Sequence, residues 1–349
     1  PRALEHRDGV RKAREPPLGP PGPLGRSMRT FVLRRLLQLV PLLLAVTVLT
    51  FALLQVAPGD YITVVSADPQ VPTATLEAMR HRFGLDRPWP VQLGLYVRNL
   101  VLHFDMGESF SLHRPVADVL RQGLLNTLLL ALAGALLTWG LAIPLGAWAA
   151  ARQGRAADRS LSVLAFSALS VPEVLSGLLL LMLAARTGWF PVGGMRSLDW
   201  ETLGPAARVL DVLRHLALPA VVVGLVPLAG RMRQMRSSLL DVLRLDYVTT
   251  ARAKGLDERA VIGRHAMRNA LNPLITLFGY TLGSLLSGSL VAEIVFAWPG
   301  LGRVTYEAIL ARDQYLVAGS VLMAALVLAV GNLVADLLLA AADPRIRHE

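Results

Sequence analysis

Residues 124–150 read LLNTLLLALAGALLTWGLAIPLGAWAA and contain no charged side chain. A helix needs about 20 predominantly apolar residues to cross the hydrocarbon core of a membrane, so this run is long enough to span a bilayer. Five further stretches are predominantly apolar: Leu36–Ala57, Leu161–Ala185, Leu216–Gly230, Leu274–Ala297 and Val317–Ala342. The third of these is short and contains Pro219 and Pro227, so we expect the span to begin earlier or to extend beyond Gly230. The sequence therefore predicts an all-α integral membrane protein with about six transmembrane helices.

The composition agrees with this class. Of the 349 residues, 54% are hydrophobic and only 17% are charged, whereas about 25% of the residues in a soluble domain are charged. The absence of cysteine excludes disulfides and thiolate metal sites. The histidines His81, His103 and His113 lack the spacing of metal ligands, so no metal site is predicted.

The positions of Lys and Arg predict the orientation of the spans, because cytoplasmic loops carry an excess of these residues. With the amino terminus placed inside, the inside segments hold 23 of the 35 basic residues and the outside segments hold 12. Both termini are therefore predicted to be cytoplasmic, in a multi-pass protein of a cell membrane. The formal net charge of +10 is therefore explained by basic residues beside the lipid bilayer, and no nucleic-acid partner is expected.

Four regions follow from these spans. Residues 1–27 are polar, basic and rich in Pro and Gly, which predicts a disordered leader. Because Met28 opens a membrane-protein-like start, we expect this leader not to be native. Residues 28–57 form the amino-terminal segment and the first span, and residues 58–123 are predicted to fold into a small external lobe between spans 1 and 2. Residues 124–349 form the transmembrane core.

The cytoplasmic segment 231–273 carries the sharpest pattern, within DYVTTARAKGLDERAVIGRHAMRNALNP. It predicts a helix, a break and a second helix, because Gly255 can adopt a positive φ and Asp257 can cap the second helix. That second helix is amphipathic, with small apolar residues among arginines. From the residues alone two readings stay open: a basic loop on anionic headgroups, or a docking element for a cytoplasmic partner.

This run resembles the coupling loop of ABC-importer permeases, in which Glu-Ala-Ala precedes a glycine at fixed spacing. Thr249, Thr250 and Ala251 occupy the triplet and Gly255 the glycine, while the glutamate and the later proline are absent. The form DYVTTARAKGL with RHAMRNALNP is similar to the dipeptide, oligopeptide and nickel branch, in which this departure is usual. The segments MGESFSLHRPV, GWFPVGG and VAEIVFAWPGLGRVTYEAILARDQY, in order, resemble the B-type permease of that branch.

The resemblance implies a type I ABC-importer permease architecture and a role as half of a translocation pathway. It implies a second, C-type permease, two ATP-binding subunits that carry ATP and Mg, and an external substrate-binding protein. No cofactor is expected on this chain, which is not expected to be an enzyme, because neither Lys12 nor Lys254 lies in a G-K-[ST] motif. The residues implied to contact the ATPase are Thr250, Ala251, Arg252, Ala253, Lys254, Gly255, Leu256, Arg264 and His265.

Polar residues within the spans are candidates for the pathway, because charge inside a bilayer is costly and often functional. Glu173 follows Pro172 within the third span, where the family usually has an apolar or aromatic residue; it either faces a water-filled cavity or pairs inside the bundle. Glu293 either gates the outer end of span five or anchors a loop. Ser284 and Ser287 either line the pathway or allow close helix packing.

Three function classes remain on this reasoning. The first is an ABC permease subunit for di- or oligopeptides, with nickel, glutathione or oligosaccharides as alternatives within the branch. The second is an ion-coupled secondary transporter, in which Glu173 would be the essential carboxylate. The third is a membrane enzyme, for which the sequence has no recognisable catalytic set.

Overall fold

The computed structural model describes residues 24–275, 277–278 and 289–342. In these ranges the chain is built from helices, and its only bridge of β type is the isolated pair Glu108 and Pro115. The helices are α1 (Leu24–Val56), α2 (Tyr61–Val65), α3 (Thr73–Arg82), α4 (Trp89–His103), α5 (Val116–Ala151), α6 (Ala156–Ser170), α7 (Glu173–Thr187), α8 (Pro205–Leu243), α9 (Asp246–Ala253), α10 (Glu258–Ala260), a π-helical turn (Val261–Ala266), α11 (Met267–Ala270), α12 (Leu290–Val295), α13 (Leu301–Leu310) and α14 (Gln314–Ala342).

Four helices of the described chain are long and apolar enough to cross a membrane, namely α1, α5, α8 and α14. The pair α6 and α7 supplies a fifth span if it is counted as one broken helix. The predicted all-α membrane class is confirmed. Residues 276 and 279–288, in the middle of the predicted span Leu274–Ala297, lie outside the described residues, so the count of six stays a prediction.

The third predicted span, Leu161–Ala185, is divided between two helices. Helices α6 and α7 meet at a bend of 103°. Val171 is extended, with φ −87° and ψ 123°, and Pro172 precedes the first residue of α7. A proline disfavours helical backbone in the residue before it, and hydropathy alone does not reveal such a break.

Two of the predicted boundaries also shift. Helix α1 begins at Leu24, so residues 24–27 of the predicted leader are helical, and residues 1–23 lie outside the described ranges. Helix α5 begins at Val116 after Pro115, so residues 116–123 extend the second span and do not belong to the lobe. Proline is well suited to such a start because it has no N–H that the helix would leave unsatisfied.

The helices α5 and α8 pack closely along a seam of small residues. A side chain at Gly146 would place its Cβ 2.5 Å from the carbonyl oxygen of Met232, and one at Gly224 would lie 3.1 Å from the carbonyl oxygen of Gly134. Thr138 Oγ1 donates to the carbonyl oxygen of Gly224 at 3.1 Å. Small residues let two backbones approach in this way, so the seam joins the two longest helices of the structure.

The lobe between α1 and α5 is folded around aromatic rings. The ring centroids of Phe83 and Phe110 lie 4.4 Å apart, and Tyr61 packs against both at 5.8–5.9 Å. Asp313, fully buried before α14, accepts hydrogen bonds from Ser109 Oγ at 2.6 Å and from the backbone N–H of Ser111 at 2.9 Å. The lobe is therefore fixed to the start of α14.

Candidate functional site

The predicted coupling loop has the expected helix, break and helix. Gly255 has φ +80° between α9 and α10, and Asp257 caps α10 by accepting from the backbone N–H of Arg259 at 3.1 Å. Residues 231–243, which we placed in the loop, instead continue α8 to Leu243. The segment that carries the predicted coupling pattern is therefore the shorter range 244–273, which we call the coupling loop.

The inner face of this loop is apolar and buried. Val248 and Ala251 of α9, and Val261 and Ala266 of the π-helical turn, pack in one cluster with buried residues of α5 and α8. Ala251, which the resemblance placed among the contacts to the ATPase, is only 7% exposed and belongs to this base. The loop is consequently seated on the ends of α5 and α8.

The outer face of the loop carries the other predicted docking residues. They are all exposed: Thr250, Arg252, Ala253, Lys254, Gly255, Leu256, Arg264 and His265. The side chain of Leu256 beside the break is 43% exposed. Each of these residues is therefore accessible to a partner.

An ion pair closes the break between the two helices. Arg252 Nη2 donates to Glu258 Oε1 at 2.7 Å. This hydrogen bond lowers the pKa of Glu258 below its usual value and raises the pKa of Arg252. Both side chains are about half exposed, so the pair contributes at most about 1 kcal/mol.

The sequence pattern of the coupling loop assigned no role to Tyr247. Its hydroxyl accepts from Asn269 Nδ2 at 2.8 Å and donates to the carbonyl oxygen of His265 at 3.5 Å. Tyr247 therefore ties α9 to the helical arm 258–270, across 22 residues of chain. An isolated aromatic residue in a polar run gave no periodic signal for this role.

Glu293 lies at the centre of a second polar cluster and is fully buried. Its Oε1 accepts from Thr127 Oγ1 and from Ser289 Oγ, both at 2.7 Å, and its Oε2 accepts from the backbone N–H of Arg303 at 3.0 Å. Gly300 leaves no room for a side chain, because a Cβ there would overlap the carboxylate. This geometry favours the loop-anchor reading of Glu293, and a role in the pathway stays a prediction.

Neighbouring groups extend this cluster between α5 and the turn before α13. Trp298 Nε1 donates to the carbonyl oxygen of Asn126 at 3.0 Å, and Asn126 Nδ2 donates to the carbonyl oxygen of Pro299 at 2.8 Å. An aromatic residue at the end of a span is typical of an interface anchor, but the side chain of Trp298 is fully buried. Trp298 therefore fixes the turn before α13 to α5.

The remaining pathway candidates are dispersed. Glu173 is the first residue of α7 and is partly buried, and its Oε1 has no hydrogen-bond partner among the described residues. Ser284 and Ser287 lie outside the described residues. Asp336 on α14 pairs with Arg35 on α1 at 2.9 Å, an interhelical contact. In the described chain, no group of three or more potential ligands is placed to hold a metal ion.

These features define a multi-pass membrane protein in which the segment 244–273 is seated on the ends of two long helices. The family described as binding-protein-dependent transport system inner membrane component matches residues 142–348, and its amino-terminal companion matches residues 28–131. The chain belongs to this family of ABC-importer permeases. That membership decides against the ion-coupled secondary transporter and the membrane enzyme.

Particular relatives are similar over almost the whole chain. The oligopeptide transport system permease protein AppB of Bacillus subtilis is 38% identical over 323 residues. The di/tripeptide transport system permease protein DppB of Pseudomonas aeruginosa is 39% identical over 337 residues, and the dipeptide permease DppB of Escherichia coli is 34% identical over 340 residues. Each comparison covers 92% of this chain and 100% of the relative.

Proposed function

We propose that this chain is the transmembrane permease subunit of an ATP-driven importer of di- or oligopeptides, and that it couples to separate ATP-binding subunits through the segment 244–273. The observation that carries the proposal is the two-sided coupling loop. Its inner face is buried against α5 and α8, while its outer face exposes Leu256 and its basic neighbours. A partner that moves the outer face therefore moves the two long helices.

The energy source is assigned to a partner. The chain has only two lysines, Lys12 before Ala13 and Lys254 before Gly255, and neither lies in a phosphate-binding G-K-[ST] motif. ATP and Mg would accordingly be bound by the two ATPase subunits. A second permease would complete the pathway, and an external binding protein would deliver the cargo.

The substrate class and the location follow from different observations. The three relatives named above are a di/tripeptide, a dipeptide and an oligopeptide permease, and this favours peptides over nickel, glutathione or oligosaccharides. The excess of Lys and Arg in the inside segments favours cytoplasmic termini. We place the protein in a bacterial or archaeal cell membrane, with the lobe facing outward.

Two matched glycines allow a sharp test of the coupling role. Gly255 and Gly84 have φ of +80° and +68°, and at both positions a Cβ would meet no atom within 4 Å. Valine imposes comparable backbone strain at each, about 1–2 kcal/mol, but only Gly255 lies on the proposed docking face. Gly84 lies in the lobe.

Each variant would be purified from its native membrane in mild detergent, and the accompanying subunits would be quantified by mass spectrometry. We expect Gly255→Val to lose the ATPase while it keeps the second permease, and Gly84→Val to keep both. ATP-dependent uptake of labelled dipeptides should then fail only in Gly255→Val. Equal recovery of the ATPase with both variants would refute the docking role, and uptake of nickel or sugar without peptide uptake would refute the substrate class.

A further inference from the structure

A groove between α1 and α14 has a polar end and an apolar length. It encloses about 380 Å³, within the range of about 300–1,000 Å³ that is usual for small-molecule sites. Arg35, Gln38 and Asn332 line the polar end, and Leu39, Val46 and Leu328 are among the apolar residues of its walls. Nothing in the coupling mechanism uses this groove.

The dimensions of the groove match one lipid chain. Along α1 its lining runs from Arg35 to Val46, which is about 16 Å at 1.5 Å per residue. An acyl chain needs such a channel parallel to the helices, with its headgroup at the membrane surface. The polar end lies where the positive-inside pattern places the cytoplasmic surface.

The charge at this end favours an anionic headgroup. At this end α1 has the consecutive arginines Arg34 and Arg35 and no acidic residue, whereas α14 contributes the single carboxylate Asp336. Asp336 holds the guanidinium of Arg35 at 2.9 Å beside the groove. An arginine at this depth binds a phosphate oxygen by charge-assisted hydrogen bonds, and the amides of Gln38 and Asn332 can add neutral ones.

We infer that this groove is a binding site for one anionic phospholipid of the cytoplasmic leaflet, with its phosphate at Arg35 and one acyl chain between α1 and α14. The site is independent of the transported substrate. A helix of a partner permease is the competing occupant, since it would cover the same apolar walls. The phosphate of a lipid supplies a negative charge that an apolar helix lacks, and this favours the lipid beside the arginines of α1.

The test uses the purified transporter in nanodiscs that contain a phosphatidylglycerol with a photoreactive diazirine on its acyl chain. We expect labelled peptides from both α1 and α14, and competition by unlabelled phosphatidylglycerol but not by phosphatidylcholine. Ala329→Trp fills the groove and should abolish this labelling. Leu44→Trp adds the same ring at a position that is 49% exposed and outside the groove, so it should leave the labelling unchanged.

A second variant removes the headgroup contact without leaving a lone carboxylate. The double variant Arg35→Gln with Asp336→Asn should reduce labelling about fivefold. This is the loss of lipid affinity expected when one arginine is removed from an anionic surface. Equal competition by phosphatidylcholine, or labelling that Ala329→Trp does not change, would overturn the inference. A photo-crosslinker at Leu328 that captures the second permease in place of lipid would also overturn it.

Discussion

Replacing Glu293 by Gln should destabilise the permease core, and the size of the effect can be worked from its hydrogen bonds. The amide oxygen of Gln can still accept from Thr127 and Ser289, but its NH₂ group would face the backbone N–H of Arg303, which now donates to Oε2 at 3.0 Å. One hydrogen bond to a charged acceptor is lost, about 1.5–3 kcal/mol, and the other two weaken by about 1 kcal/mol each.

Relief of the buried charge offsets part of this loss. We therefore expect Glu293→Gln to lower the free energy of unfolding by about 2–4 kcal/mol. Glu307→Gln is the matched control, because Glu307 pairs with the same arginine at 2.6 Å but its side chain is 54% exposed. Loss of that surface pair should change stability by at most about 1 kcal/mol.

Two measurements check this prediction on the purified transporter. Thermal unfolding should shift downward by about 5 °C in Glu293→Gln and by little in Glu307→Gln. Limited trypsinolysis reports the local effect, since release of the turn before α13 exposes the bond after Arg303. If Glu293→Gln has the same unfolding temperature as the wild type and trypsin cleaves it no faster after Arg303, the carboxylate does not hold this turn.

Three further predictions concern the seam, the coupling loop and the broken span. Gly146→Val should cost about 1–3 kcal/mol or more, because its Cβ would meet a backbone carbonyl, and the yield and melting temperature of the folded permease measure this. The lowered pKa of Glu258 means that its pair with Arg252 stabilises the loop above the ordinary glutamate pKa of 4.5 and is lost as the pH falls through the lower folded value. The small gap in melting temperature between wild type and Glu258→Gln should therefore close in acid. Glu173→Gln should keep ATP-dependent uptake in proteoliposomes, since the driving force is assigned to ATP.

Each of these has a contrasting outcome. Gly140→Val on the same helix, where a Cβ meets nothing within 4 Å, should be tolerated; equal damage at Gly140 and Gly146 would mean that the seam is not the cause. A gap that widens in acid would contradict the assigned sign for Glu258. Abolished uptake in Glu173→Gln, with the ATPase still bound, would return the carboxylate to a coupling role.

The sequence predicts well those features that depend on local chemistry. The apolar runs locate four long helices, and Gly255 with Asp257 locates the break in the coupling loop, because positive φ and capping are properties of single residues. The bend at Pro172 escapes a hydropathy reading, since both halves are equally apolar. A proline within an apolar run is compatible with a kinked span as well as with a break.

The contacts that build the acidic cluster could not be predicted in the same way. Thr127 and Glu293 are 166 residues apart in the chain, and nothing local to either residue specifies the other. Trp298 illustrates the same limit, because an aromatic residue at the end of a span is typical of an interface anchor. Only the packing of α5 against the turn shows that its indole is internal.

Because α5 and α8 pack closely along their seam, we expect the two helices to move together. At 1.5 Å per residue, helices of 36 and 39 residues extend about 54 and 58 Å, well beyond the roughly 30 Å of hydrocarbon. Gly146 and Gly224 allow the two helices to pack closely, and the coupling loop packs against one end of both. A joint tilt of about 5° would move the far ends of the two helices by about 5 Å. Under the proposed coupling, a small movement of the segment 244–273 would therefore become a larger one at the opposite end of both helices.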